Sequence, residues 1–262
     1  MKRILFIALL FAAEVCFSAE LETRSWKVDG LKRTALVHMP EGKKLAPLVF
    51  VFHGHGGSMR NGARSFRIHE LWPEATVVYM QGLPTVGQLT DPEGKKNGWN
   101  SNPSDAANRD LKFYDTVYAS LQGQIDTNRV FSTGHSNGGG FTYCLWAARG
   151  EQLTAVAPSA AVSRHIKNLK PKPALHVAGT NDTLVKYKWQ KTMMAVVKRL
   201  NGCSGEGQPW QSSGDLTGTL YPSKSGTPFV TLLSPGTHKF PAAAPALIVR
   251  FFQTDWAETN AP

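Results

Sequence analysis

The sequence predicts an α/β fold, a mostly parallel sheet with helices packed on both faces. Two observations carry the prediction. Short, continuous apolar runs recur through the chain, and segments with helical spacing of apolar residues alternate with them. A strand that is apolar at every position is covered on both faces, as in a parallel sheet whose crossovers are helices. Ligands of such sheets bind beyond the carboxyl ends of the strands.

Taken in order, residues 24–28 and 33–39 flank Asp29-Gly30 and are expected to pair as a hairpin of two edge strands. Residues 48–52, Leu-Val-Phe-Val-Phe, are the first fully apolar run, and similar runs occupy 75–80, 130–133, 155–157, 174–178 and 229–233. Helical patterns lie over 61–71, 109–125, 138–148, 188–200 and 245–256. Residues 82–107 and 202–228 are rich in Gly, Pro and polar residues, and are read as surface loops.

With 42% hydrophobic, 10% aromatic and 18% charged residues in 262, the composition is that of a packed globular protein. Disordered, collagenous and disulfide-dense classes are excluded. Residues 1–19 have the layout of a secretory signal: Met1-Lys2-Arg3, an apolar run over 4–13, then Cys16-Phe17-Ser18-Ala19. The run is too short to span a membrane, and Glu14-Val15 does not suit a lipid-modified Cys16. The expectation is a secreted or periplasmic protein with one domain over 20–262 and no membrane contact after cleavage.

Cleavage lowers the formal charge of +10 by one and leaves Cys144 and Cys203, either bridged or as two thiols with Cys144 buried in a helix. The surplus of charge concentrates in 164–199, with nine Lys/Arg against Asp182 alone. Only Tyr187 and Trp189 accompany these charges as aromatic residues, so nucleic acid is not the expected partner. The segment is expected either to steer anionic substrates, with Lys186 and Lys188 nearest the site in sequence, or to be a solvated helix face turned away from the cleft.

The most informative stretch is Gly134-His135-Ser136-Asn137-Gly138, between the strand at 130–133 and the helix at 138–148. A serine on so sharp a turn projects from the sheet edge, and the two glycines leave room for the neighbouring strand and helix. Serine needs a base to take its proton. Of the eight histidines only His238 lies beyond the strand-end acid Asp182, and it follows the strand at 229–233. Ser136, Asp182 and His238 are therefore the expected nucleophile, orienting acid and base. His176, inside an apolar strand, reads as a core histidine.

Phe52-His53-Gly54-His55-Gly56-Gly57 follows a buried strand and suits an oxyanion-binding loop. The expected donors are the backbone amides of His55, with a register uncertain by one residue, and Asn137. A metal role for His53-x-His55 lacks a third ligand, and no metal or organic cofactor is expected.

Taken together, these motifs resemble the α/β-hydrolases of the feruloyl esterase, acetyl xylan esterase and polyhydroxybutyrate depolymerase type, carbohydrate esterase family one. The resemblance runs from about Thr34 to Phe252. It includes Gly98-Trp99-Asn100, Asp110, Gly179-Thr180-Asn181-Asp182 and Gly236-Thr237-His238 before Pro241. It implies a substrate-binding role for Trp99, which could stack on a sugar or aromatic acyl group or could equally anchor its loop. Phe240 stands where the family has Trp, keeping an apolar wall without an N–H donor. The family pairs the cysteine of its Asn-Gly-Cys stretch with a later one, and none follows Cys203 here.

The expected function is that of a serine esterase acting on feruloyl or acetyl esters of plant polysaccharide, with hydroxyalkanoate oligomers as the alternative. A serine peptidase would want an additional domain, and a non-catalytic binding protein would have a damaged triad.

Overall fold

The computed structural model describes residues 20–256 except 43 and 204. The expected signal segment 1–19 lies outside the described residues. Among those described, no helix is long and apolar enough to cross a membrane.

The strands are β1 (Glu22–Val28), β2 (Leu31–His38), β3 (Ala46–Phe52), β4 (Thr76–Met80), β5 (Leu83–Pro84), β6 (Asn97–Gly98), β7 (Ile125–His135), β8 (Ala155–Ser159), β9 (Ala174–Gly179), β10 (Gln208–Ser213), β11 (Leu216–Tyr221) and β12 (Phe229–Ser234). The helices are α1 (Met59–Phe66), α2 (Ile68–Leu71), α3 (Arg109–Leu121), α4 (Asn137–Arg149), α5 (Tyr187–Leu200) and α6 (Ala244–Gln253).

Ten strands form one sheet in the order β1-β2-β4-β3-β7-β8-β9-β12-β11-β10. From β4 to β12 every pairing is parallel, and antiparallel strands extend both ends. Alternate side chains of β3 divide between two cores, as the twofold period of a strand demands. Phe50 and Phe52 enter the core under α3, α4 and α5; Val49 and Val51 enter the core under α1, α2 and α6. Val78 and Met80 of β4 join the first core, and Val77 and Tyr79 the second. Burying each such side chain contributes about 1.5–3 kcal/mol, which explains why these runs carry no polar alternation. The chain has the α/β-hydrolase fold.

Four sequence expectations are corrected. Strand β2 is not an edge strand, because it also pairs with β4. The single helix over 61–71 is two helices, broken at Arg67, whose φ of 48° ends α1 while its N–H still bonds the Ala63 carbonyl. The break lets both Phe66 and Ile68 face the same core. The helix at 109–125 stops at Leu121, and after Gly123 (φ 86°) the chain enters β7 at Ile125. Finally, 202–228 contains the β10–β11 hairpin, whose first strand is largely exposed and so has no apolar alternation to read.

Candidate active site

Ser136 stands between β7 and α4 with φ 56° and ψ −120°, the only residue of α4's entry in such geometry. The turn is tight because the chain passes close to β3. A Cβ on Gly138 would lie 2.2 Å from the Phe52 carbonyl oxygen, and one on Gly134 would lie 2.5 Å from that of Gly138. Positive φ at a non-glycine residue costs about 1–3 kcal/mol and persists only where the surroundings enforce it. Here the Ser136 N–H is bonded to the Ser159 carbonyl on β8 at 2.8 Å, which holds the turn.

Two further strand ends bring the other groups to it. Asp182 follows β9 and its side chain is fully buried; His238 follows β12 and its side chain is 22% exposed. The Ser136 hydroxyl lies 2.8 Å from His238 Nε2, and His238 Nδ1 lies 2.8 Å from Asp182 Oδ2. The other carboxylate oxygen of Asp182 accepts the Leu184 and Val185 amides at 2.9 and 3.0 Å. With the serine donating to Nε2 and Nδ1–H donating to the carboxylate, the imidazole is held in one tautomer.

Two supports were not legible in the sequence. Gln190, fully buried on α5, donates from Nε2 to Asp182 Oδ2 at 3.0 Å and to the Val185 carbonyl at 2.7 Å, and accepts from His176 Nε2 at 3.1 Å. His176 Nδ1 in turn accepts from the Tyr143 hydroxyl at 2.9 Å. Burial lowers the His176 pKa to about 4, so it is neutral and fits these roles. Tyr143, the core histidine and Gln190 thus form a polar chain that reaches the carboxylate. His135, next to the serine, donates from Nε2 to the His238 carbonyl at 2.9 Å and accepts from the Ser159 hydroxyl at 3.0 Å. Burial first, then the neighbouring His238, lowers its pKa to about 4. It fixes the backbone of the His238 loop.

On the other side of Ser136, the 53–57 loop is tied to the long loop that follows β4. His53 Nδ1 donates to the Gly54 carbonyl at 2.7 Å, and its Nε2 accepts the Gly82 amide at 3.0 Å. His55 Nε2 lies 3.0 Å from Asp91 Oδ2. The Gly56 and Gly57 amides are committed to the carbonyls of Asn97 and Gly54, whereas the amides of His55 and Asn137 have no acceptor among the described residues. These unbonded N–H groups are of the kind an oxyanion requires. The Asn137 side chain is already engaged: its Oδ1 accepts the Trp99 amide at 2.7 Å and its Nδ2 donates to the Trp99 carbonyl.

For Trp99 the packing favours the loop-anchoring alternative, and Phe240 packs away from the cleft. The Trp99 side chain does not present a ring for stacking: the residue is 1% exposed, packs against Phe52 and Phe141, and spends its indole N–H on the His53 carbonyl at 2.8 Å. It anchors the loop over β3. Phe240 packs on Phe66 and His135, with ring centroids 4.4 and 5.3 Å away, and faces a separate hollow with Arg67 and Pro245. It buttresses the His238 support rather than lining the cleft. Cys144 and Cys203 are free thiols, the first buried and the second half-buried. Asp110 is fully buried, bonded to Arg33 at 2.7 Å and to the Asn100 amide at 2.9 Å, so it pins the cleft loop to α3.

Ser136 opens into a cleft of about 1070 Å³ whose walls include His55, Gln88, Asn102, Ala161 and Trp189. Its size suits a ligand of drug size or larger.

No family model matches the chain. It is 27% identical to feruloyl esterase D of Neurospora crassa over 233 residues, covering 83% of this chain and 77% of that protein. It is 27% identical to feruloyl esterase C of Emericella nidulans over 209 residues, covering 72% of each. Among solved structures, an acetyl xylan esterase from Aspergillus awamori superposes with a TM-score of 0.67 at 12% identity, over 89% of this chain and 98% of that one. The fold and these relatives together make the chain a carboxylic ester hydrolase similar to the feruloyl and acetyl xylan esterases.

Proposed function

We propose that this is an exported serine esterase that removes feruloyl or acetyl groups from plant polysaccharide. The observation that carries the catalytic reading is the hydrogen-bonded series Ser136, His238 and Asp182, with both links at 2.8 Å, opening on the cleft. The acyl groups come from the names of the relatives, and export from the signal layout of 1–19.

In this reading His238 Nε2 takes the Ser136 proton as Oγ attacks the ester carbonyl. The carbonyl oxygen becomes an oxyanion and is met by the amides of His55 and Asn137. The tetrahedral species collapses as His238 returns the proton to the departing alkoxide, leaving an acyl-serine. Water, deprotonated by the same nitrogen, then attacks the acyl carbon, and the proton passes back to Ser136 as the acid leaves. Asp182 keeps the imidazole in its tautomer and stabilises the imidazolium of both steps. The Gln190 and Leu184 to Val185 donors keep that carboxylate in place.

The test is a panel of esters given to the purified protein: methyl ferulate, acetylated xylan, nitrophenyl acyl chains and a hydroxybutyrate oligomer. Turnover led by the ferulate or acetate members is expected. Turnover confined to the hydroxybutyrate oligomer would move the substrate to hydroxyalkanoates, and no turnover of any ester would overturn the reading.

A further inference from the structure

The geometry points to a subsite in the outer cleft for a carboxylate-bearing sugar ring, with Trp189 as its apolar platform and Arg164 as its cation. The inference rests on the esterase reading and names a feature of the substrate that the acyl group does not.

Charge is the first observation. The cleft lining includes Arg109 and Arg164 and no Asp or Glu. Arg109 is already engaged, donating to the Pro84 carbonyl at 2.6 Å and the Thr85 hydroxyl at 2.7 Å with Asp110 4.0 Å away. Arg164 is exposed and makes no hydrogen bond or ion pair with any described residue. A guanidinium without a partner in an acid-free cleft is matched by a carboxylate, which it can take with two parallel N–H bonds. Of the nine basic residues in 164–199, Arg164 alone lines the cleft, and Lys186 stands beside its Trp189 wall.

Apolar exposure is the second. Val86, Leu89 and Trp189 are 57%, 55% and 42% exposed, and all three line this same cleft. Trp189 lies in the first turn of α5, and Lys186 Nζ sits 5.5 Å from its ring centroid, adding a second positive charge beside the platform. An indole exposed at a cleft rim offers a flat surface to a ring, with a polar edge left wet.

The third is polarity. Gln88, Asn102 and Ser163 also line the cleft and offer side-chain partners to ligand hydroxyls. A ring with an apolar face, many hydroxyls and one carboxylate is a uronic acid unit, and that is the occupant these walls fit.

The experiment measures equilibrium binding of two oligosaccharides without esters, one neutral and one of equal length carrying a single uronic acid, at low and high salt. At low salt the acidic sugar should bind about two- to fivefold tighter, the range of one exposed charge pair. High salt should erase that preference, because exposed charges are screened. Arg164→Gln should erase it at low salt, and Trp189→Ala should weaken both sugars. Equal affinities in the parent, binding of neither sugar, or a preference that survives Arg164→Gln would each overturn the subsite. Nitrophenyl acetate hydrolysis by the parent, measured alongside, reads the esterase proposal separately: its absence sinks that proposal, while the binding comparison still decides the subsite.

Discussion

Replacing Gln190 with Met separates the support of the carboxylate from the chemistry at the serine. The side chain is fully buried and makes three hydrogen bonds, to Asp182, Val185 and His176. Met fills similar volume but makes none of them. The His176 N–H and the Val185 carbonyl would be left without these partners. Each unsatisfied buried group costs about 1–3 kcal/mol, and the apolar replacement recovers part of that by no longer burying an amide. The net loss is about 2–4 kcal/mol, which for a domain of this size lowers the melting temperature by about 4–16 °C. Asp182 loses one of four donors and keeps His238 and two backbone amides. The expected fall in kcat is about tenfold, far less than the ~10⁴-fold seen when a triad aspartate becomes asparagine. Thermal unfolding followed by circular dichroism, with kcat on a nitrophenyl ester, reads both. An unchanged melting temperature would refute the polar chain as a stabilising unit, and a loss of kcat as deep as that of Ser136→Ala would make Gln190 part of the reaction.

The other predictions follow from burial. Trp99→Phe removes the bond to the His53 carbonyl and should cost about 1–3 kcal/mol of stability with little change in substrate KM; a raised KM at unchanged stability would return the ring to the substrate. His135 and His176, lowered from 6.5 to about 4, are neutral in the fold but take up protons below about pH 6.5 in the unfolded chain. Their contribution is complete above 6.5 and is lost as the pH falls toward 4, so the urea midpoint should drop between pH 7 and pH 5; an unchanged midpoint refutes this. Alkylation of the denatured chain without reductant should modify both Cys144 and Cys203, read by intact mass. In the folded chain Cys144 should resist, because burial pushes its thiol pKa up.

What the sequence makes legible depends on how local the cause is. The strand order of chemistry, with a serine after one apolar run, an acid after another and a histidine after a third, is written in short motifs whose glycines answer to backbone clashes such as Gly138 against Phe52. Side-chain direction is not local. Trp99 sits on a loop that reaches the site and Phe240 follows His238 closely in the chain, yet one ring turns down onto Phe52 and the other packs behind His135. Gln190 carries no motif, since a glutamine on a helix is ordinary until tertiary packing buries it, and the Gly134-His135-Ser136 motif contains His135 without revealing that its ring holds the His238 carbonyl. The β10–β11 hairpin escaped because an exposed edge strand needs no apolar face. Conversely, the excess of charge in 164–199 was plain, but only the fold places Arg164 in the cleft and Lys186 beside its Trp189 wall.

The central claim is that Ser136 is the nucleophile, and a fluorophosphonate probe tests it most directly. The parent protein should gain one covalent adduct, mapped by peptide mass to Ser136, with loss of ester hydrolysis in step with labelling. Ser136→Ala should melt cooperatively near the parent temperature and take no label. Labelling that persists in Ser136→Ala, or a parent that hydrolyses esters yet never reacts with the probe, would contradict the account.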